Sequence, residues 1–232
     1  FVIAPQNWDA GQETYAATNA MGTGPFKITL REPNTKTVFK KNGKWWGNVE
    51  HNLTEIQLLP IKNAATRVAA LLSGEVDFIQ DVPVQDLKRV ANQSGLKVVT
   101  AAQNRVIFFG MNSGSMDLET DDVEGKNPFS NIKVRQAMNM AINRDAIKKV
   151  VMRNQSSPTN VIMPPFVNGW NESLDRIPTG GVPMAKKLMQ EAGYGDGFSV
   201  TLNCPNDRYI NDEAICQAAV GMFAKIGIRV NL

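Results

Sequence analysis

The chain has 232 residues, 43% of them hydrophobic and 20% charged, with 18 Gly and 12 Pro. That mixture excludes collagen-like, low-complexity and disordered classes, and no apolar run reaches the ~18 residues of a membrane-spanning helix. A formal charge of +3 is too small to argue for a nucleic-acid partner, and one His with two Cys cannot build a multi-histidine zinc centre or a four-cysteine cluster.

Phe1 to about Met21 is polar and without a clear period; it reads as loop with a short helix around Gln12–Asn19. Gly22-Thr23-Gly24-Pro25 is a turn cluster. Two strands are expected at Phe26–Leu30 and Thr37–Lys41, joined by the turn Glu32-Pro33-Asn34, and a third at Leu53–Pro60. Asn63 is placed to cap a helix over Ala64–Leu72, with Gly74 as its stop. A strand at Val76–Ile79, a helix near Val84–Asn92, a break at Gly95 and a strand at Leu96–Thr100 follow, an alternating α/β pattern.

Val106–Met111 is the most apolar continuous run and predicts a buried strand. Ser113–Phe129 reads as a solvated loop. A strong helix opens at Ser130-Asn131, with Val134, Ala137, Met138 and Ala141 at helical spacing. Asn143-Arg144-Asp145 interrupts it before a second helix carrying Ile147, Val150 and Val151. Pro158–Pro183 is irregular; a helix at Met184–Glu191, a strand at Phe198–Asn203, a helix at Asn211–Lys225 and a strand at Ile228–Leu232 complete the chain. A domain boundary is expected near Ala101–Asn104. Phe1 in place of Met, and a terminal stretch that reads as the start of a strand, lead us to expect an internal fragment.

Few constellations suggest chemistry. Gly22-x-Gly24 lacks the third glycine and the Lys-Ser/Thr pair of a phosphate loop, so a tight turn is the better reading. Glu119, Asp121, Asp122 and Glu124 do not follow the calcium-loop spacing and read as a solvated acidic loop. His51 is the only base for a serine triad, and no nucleophile-elbow pattern accompanies it. Trp45 and Trp46 are adjacent and divide between faces, one buried and the other free for a ligand; Phe108 and Phe109 divide the same way. Arg105 can pair with a carboxylate or stand solvated. Cys204 and Cys216 fit either a single disulfide in an exported protein or two independent buried thiols. Asp207-Arg208-Tyr209 with Asp212 and Glu213 could hold a polar ligand, yet acids in a first helical turn are already explained by the helix dipole. No nucleophile is paired with a base, which favours a binding module over an enzyme.

Several segments in order carry a resemblance: Gly22-Thr23-Gly24-Pro25-Phe26, Lys44-Trp45-Trp46-Gly47, the run from Ile61 through Ala64-Ala65-Thr66-Arg67 to Val76-Asp77, Asn127-Pro128-Phe129 through Ala137, Ala141-Ile142-Asn143-Arg144, and Ala185–Tyr194 followed by Gly197-Phe198. Together they resemble the family 5 extracellular solute-binding proteins, the dipeptide-, oligopeptide- and nickel-binding receptors of ABC importers.

The resemblance implies an α/β fold of the two-lobed periplasmic-binding-protein type (type II, cluster C), present here as partial lobes. Residues 1–103 would belong to lobe one, after an inserted extra domain, and residues 104–232 would form the N-terminal part of lobe two. Arg105–Asn112 is similar to a segment that lines the family's cleft. Peptide receptors often carry Tyr where this chain has Phe108, so a stacking surface remains without the hydroxyl. The expected ligand contacts are Phe108, Arg105, Asn104 and Trp46. The implied function is capture of a di- or oligopeptide or other small solute and its delivery to a membrane permease, by a periplasmic or membrane-tethered monomer with an upstream signal peptide. No cofactor, metal or nucleic acid is expected. The alternative is a hydrolase or transferase domain whose catalytic residues lie outside the chain.

Overall fold

A three-stranded antiparallel sheet opens the part of the chain that the computed structural model describes, residues 20–114 and 125–232. The expected helix at Gln12–Asn19 and the acidic residues Glu119, Asp121, Asp122 and Glu124 lie outside the described residues. The chain divides between Val76 and Asp77 into two units.

In the first unit, β1 (Phe26–Glu32) and β2 (Lys36–Lys41) form a hairpin with Phe26 opposite Lys41 and Glu32 opposite Lys36. Asn34 takes the left-handed conformation at its tip (φ 61°), one of the few residue types that tolerate it. The register shifts between Ile28 and Leu30. β3 (Glu55–Leu58) pairs antiparallel with β2, Thr37 facing Leu58. Thr37 and Val38 are buried, whereas β3 is exposed along its whole length.

Helix α1 (Ala64–Ser73) follows the sequence closely. The Asn63 side chain accepts the Thr66 amide at 2.9 Å, and Gly74 ends the helix at φ 78° with its N–H turned back to Ala70 and Leu71. Val68, Ala70 and Leu71 form its buried face.

The second unit begins with α2 (Leu87–Ala91), where Val90 is the buried anchor. The strands expected at Val76–Ile79, Leu96–Thr100 and Val106–Met111 are not formed. Apolar composition favours an extended chain, but a strand needs a partner ladder, and none of the described residues offers one to these segments. Nor is Val106–Met111 sealed: Phe108 is 67% exposed, while Phe109 packs edge-on against Phe223 at 5.9 Å.

A 3-10 turn at Pro128–Ser130 leads into α3 (Ile132–Ala141), capped by the Asn131 side chain on the Lys133 amide. Val134, Ala137, Met138 and Ala141 are its buried stripe. A single helical turn, α4 (Arg144–Ala146), continues as a π-helical turn over Ile147–Val151. Val150, expected on an apolar face, is 77% exposed; the wider π turn rotates side chains away from α-helical spacing.

Helix α5 (Gly181–Glu191) packs along α3, tied to it by a 2.9 Å ion pair between Lys133 and Glu191. β4 (Phe198–Thr201) and β5 (Ile228–Asn231) are parallel, with Phe198 beside Ile228, and α6 (Asp212–Ala224) makes the crossover that parallel pairing requires. Phe198 is the hub of the core: the rings of Phe129 and Tyr194 meet it edge-on at 5.9 and 5.6 Å. Strand starts are punctuated by Gly197 (φ 78°) and Gly227 (φ 87°), whose backbones touch.

Candidate functional site

Between β4 and α6 the chain makes a loop that is held at several points. Cys204, just past β4, is disulfide-bonded to Cys216 on α6, with Cα atoms 6.5 Å apart. Asp212, 6% exposed, opens α6. One of its carboxylate oxygens accepts the amides of Arg208 at 2.9 Å and Tyr209 at 3.0 Å, and the other accepts that of Glu213 at 2.9 Å. Burial opposes its ionisation, but these amides outweigh it and hold the carboxyl below the usual carboxylate range. Asn211 adds a bond from its amide to the Val151 carbonyl at 2.8 Å.

This bracing fixes the backbone at Tyr209, whose side chain is half-exposed. Two guanidiniums lie over it, that of Arg105 at 5.2 Å from the ring centre and that of its neighbour Arg208 at 5.3 Å. Both distances lie within the ~6 Å reach of a cation–π contact. Of the alternatives the sequence leaves to Arg105, a carboxylate partner or solvent, the side chain is exposed and also lies over an aromatic ring. Neither arginine forms an ion pair among the described residues. Glu213, the next acid along, accepts a bond from Gln217 at 3.0 Å.

Asn104 and Phe108 flank Arg105 and are both exposed. The inward turn of Phe109 onto Phe223 is what leaves Phe108 facing out. Trp46 belongs to the first unit, where it is 85% exposed. Its neighbour Trp45 is half-buried, donates from Nε1 to the Thr23 carbonyl at 2.9 Å and covers Gly47. The sequence offers Arg208 and Tyr209 as part of a group that could hold a polar ligand, with its acids already explained by a helix start. Their meeting with Arg105 carries no local signal, because the partners lie on segments far apart in the chain.

A second polar cluster is structural. Arg144 donates to the carbonyls of Asn139 at 3.1 Å and Thr159 at 2.9 Å, and makes a very short bond to the Asn139 side chain. Burial pushes its pKa down, and the nearby Asp175 charge pulls the other way. Asp175 accepts the amide of Asn160 and the hydroxyl of Thr159; the Asn160 amide is the leading cause of its lowered pKa, against an opposing effect of burial. These bonds fasten the irregular 158–176 stretch to the end of α3.

Among the described residues, no group of three or more His, Cys, Asp or Glu side chains is placed to hold a metal, and no helix is long and apolar enough to cross a membrane.

Comparison with known proteins places this arrangement in context. The model of the bacterial extracellular solute-binding proteins, family 5, matches residues 2–232. The glutathione-binding protein GsiB of Salmonella typhi is 28% identical over 212 residues, which is 91% of this chain and 39% of the relative. The chain thus spans about two-fifths of the curated relatives it matches. Among solved structures, the periplasmic binding protein AgaA of A. tumefaciens R10 in complex with agropinic acid superposes with a TM-score of 0.72 at 27% identity, over all of this chain and 45% of that one. The ABC transporter-associated periplasmic binding protein DppA of Helicobacter pylori, in complex with the peptide STSA, has a TM-score of 0.72 at 26% identity, covering 99% of this chain and 43% of its own.

Proposed function

The chain belongs to the family 5 bacterial extracellular solute-binding proteins, and from that membership we propose that it is part of the substrate-binding receptor of an ABC importer, taking up a small solute. Its fold is that of the family's periplasmic binding proteins. The observation that carries the reading is the match along essentially the whole chain, joined to a common fold with receptors that hold agropinic acid and a short peptide. The related proteins are solute-binding proteins rather than enzymes, and the receptor reading takes no covalent chemistry from this chain.

On this reading residues 1–103 contribute to lobe one of the whole receptor and residues 104–232 begin lobe two. The solute is a di- or oligopeptide or a compound of similar size such as glutathione, held in the cleft between the lobes. Phe108, Arg105 and Asn104 supply contacts from lobe two and Trp46 an aromatic surface from lobe one. Phe108 suits such a role through its exposure, which offers a ring for stacking. The solute favours the closed receptor only through contacts better there than in the open form. The closed form then docks on the membrane permease. The receptor acts as a monomer outside the cytoplasmic membrane.

The test is a screen of the full-length protein against dipeptides, tripeptides, glutathione, opine-type acids and nickel chelates, read by thermal shift and titration calorimetry. Saturable binding of one class with a matching rise in Tm is expected, since a ligand that binds only the folded state stabilises it. A flat response across the library would remove the reading.

A further inference from the structure

The π turn at Ile147–Val151 and the bend that follows it bring three bases to the surface. Lys149 and Arg153 are exposed and Lys148 is half-exposed. Val150, beside Lys149, stands 77% exposed. Among the described residues the ion pairs are Lys40–Glu55, Lys133–Glu191 and Lys187–Glu191, and none of the three bases takes part in them. Asp145 is the one acid in the stretch 144–154, so the patch keeps a net positive charge.

The backbone that presents Arg153 is held in a conformation its side chain resists. Arg153 and Asn154 are both left-handed, at φ 47° and 65°. Asn tolerates that region, whereas a long side chain seldom enters it. Two bonds hold the bend, from the Asn154 amide to the Lys148 carbonyl and from the Gln155 amide to the Met152 carbonyl, each at 2.8 Å. Glycine would close the same bend without the steric conflict. A base kept where glycine fits better, just past a π turn, is strain of the kind that gathers where proteins act on other molecules. The patch is also firmly seated: the turn packs on α6, and Asn211 donates to the Val151 carbonyl at 2.8 Å.

Three open bases around an exposed valine match an acidic partner that offers a small apolar contact. An anionic membrane fits less well. Recruitment to lipid takes clusters of about four to eight bases or an amphipathic helix, and one valine on a five-residue turn supplies neither. We propose that Lys148, Lys149, Val150 and Arg153 form a docking surface for an acidic protein partner, which on the receptor reading above is the outer face of the membrane permease. The proposal rests on that reading and adds to it the surface by which the receptor is met. Bases on such a surface act mainly on the rate of encounter, which salt screens.

The test uses the full-length receptor and the permease complex of its host, held in nanodiscs of neutral lipid. Docking rates are read by surface plasmon resonance without solute and again with glutathione and a dipeptide mixture present. Wild-type association is expected to slow several-fold as ionic strength rises. Lys149→Glu and Arg153→Glu are each expected to slow it roughly 3- to 10-fold at low salt, with solute binding by calorimetry unchanged. Arg153→Gly, relaxed at φ 47°, is expected to raise Tm while docking more slowly than wild type, a pairing that a purely structural arginine would not give. Docking unchanged in all three variants, or indifferent to salt, would overturn the surface. Wild type that binds phosphatidylglycerol vesicles free of permease, and loses that binding in the same variants, would replace the protein partner with a membrane. A wild type that binds solute without docking overturns this surface alone, whereas one that does neither removes the receptor reading as well.

Discussion

Gly197 and Gly227 meet backbone to backbone where the two parallel strands begin, and a Cβ on Gly197 would run into the Gly227 carbonyl. Both adopt φ values near +80°, which an L side chain resists. Gly197→Ala is therefore expected to lose about 1–3 kcal/mol from backbone conformation alone, with the collision added to it. Gly193→Ala is the control, since Gly193 shares the backbone conformation (φ 81°) but has open space around it. Urea titration should show a clearly lower midpoint for the Gly197 variant than for the Gly193 variant; equal midpoints would count against the contact.

The bond between Cys204 and Cys216 closes a loop of 12 residues in sequence separation. In the chain-entropy model such a crosslink contributes about 3 kcal/mol by restricting the unfolded chain. Replacing both cysteines with serine should lower stability by about that amount in denaturant unfolding. Hydrogen exchange should rise most in the 205–211 segment that the crosslink helps to hold.

Much of this architecture was legible from local residues. Asn63 and Gly74 mark the ends of α1, the apolar spacing of α3 gives its buried stripe, and the turn at Asn34 gives the first hairpin. What failed were isolated extended stretches. Val76–Ile79, Leu96–Thr100 and Val106–Met111 have strand-like composition, but strand formation depends on a ladder partner that composition does not name. The candidate site was half-readable for the same reason. Phe108 and Arg105 were accessible as candidates, and the outward turn of one of two adjacent phenylalanines follows from backbone alternation. The stacking of Arg105 on Tyr209 is a tertiary event between distant segments. Asp212 was recognisable as a helix-start acid, though its bonds back to Arg208 and Tyr209 were not.

The Asp212 carboxyl titrates below its ordinary value of 3.8 because backbone amides prefer the charged form, against the effect of burial. A depressed pKa in the folded state stabilises the protein above the unfolded value, and that contribution is lost as pH falls through the folded one. Wild-type stability measured by urea between pH 7 and pH 3 should therefore drop at the acid end. Asp212→Asn, unable to ionise, should be less stable at neutral pH and should show a shallower acid loss. Parallel curves for the two proteins would contradict this account.

Asn63 receives the Thr66 amide and hydroxyl on one side-chain oxygen, at 2.9 and 3.1 Å. Asn63→Ala should cost about 1 kcal/mol, whereas Asn63→Ser or Asn63→Asp should recover most of it. Thermal unfolding of the three variants side by side would check the order.

The helix starts at Asn63, Asn127, Asn131 and Asn143 are all closed by neutral amides. An amide keeps its acceptor oxygen across the whole biological pH range, so protons have nothing to discharge at these four positions. Acidification acts instead on carboxylates: Asp212 beneath Arg208 and Tyr209, Asp175 within the 158–176 stretch, and Glu191 where α5 is tied to α3. In a souring environment the protein would slacken these carboxylate ties while the four amide-closed helix starts kept their bonds.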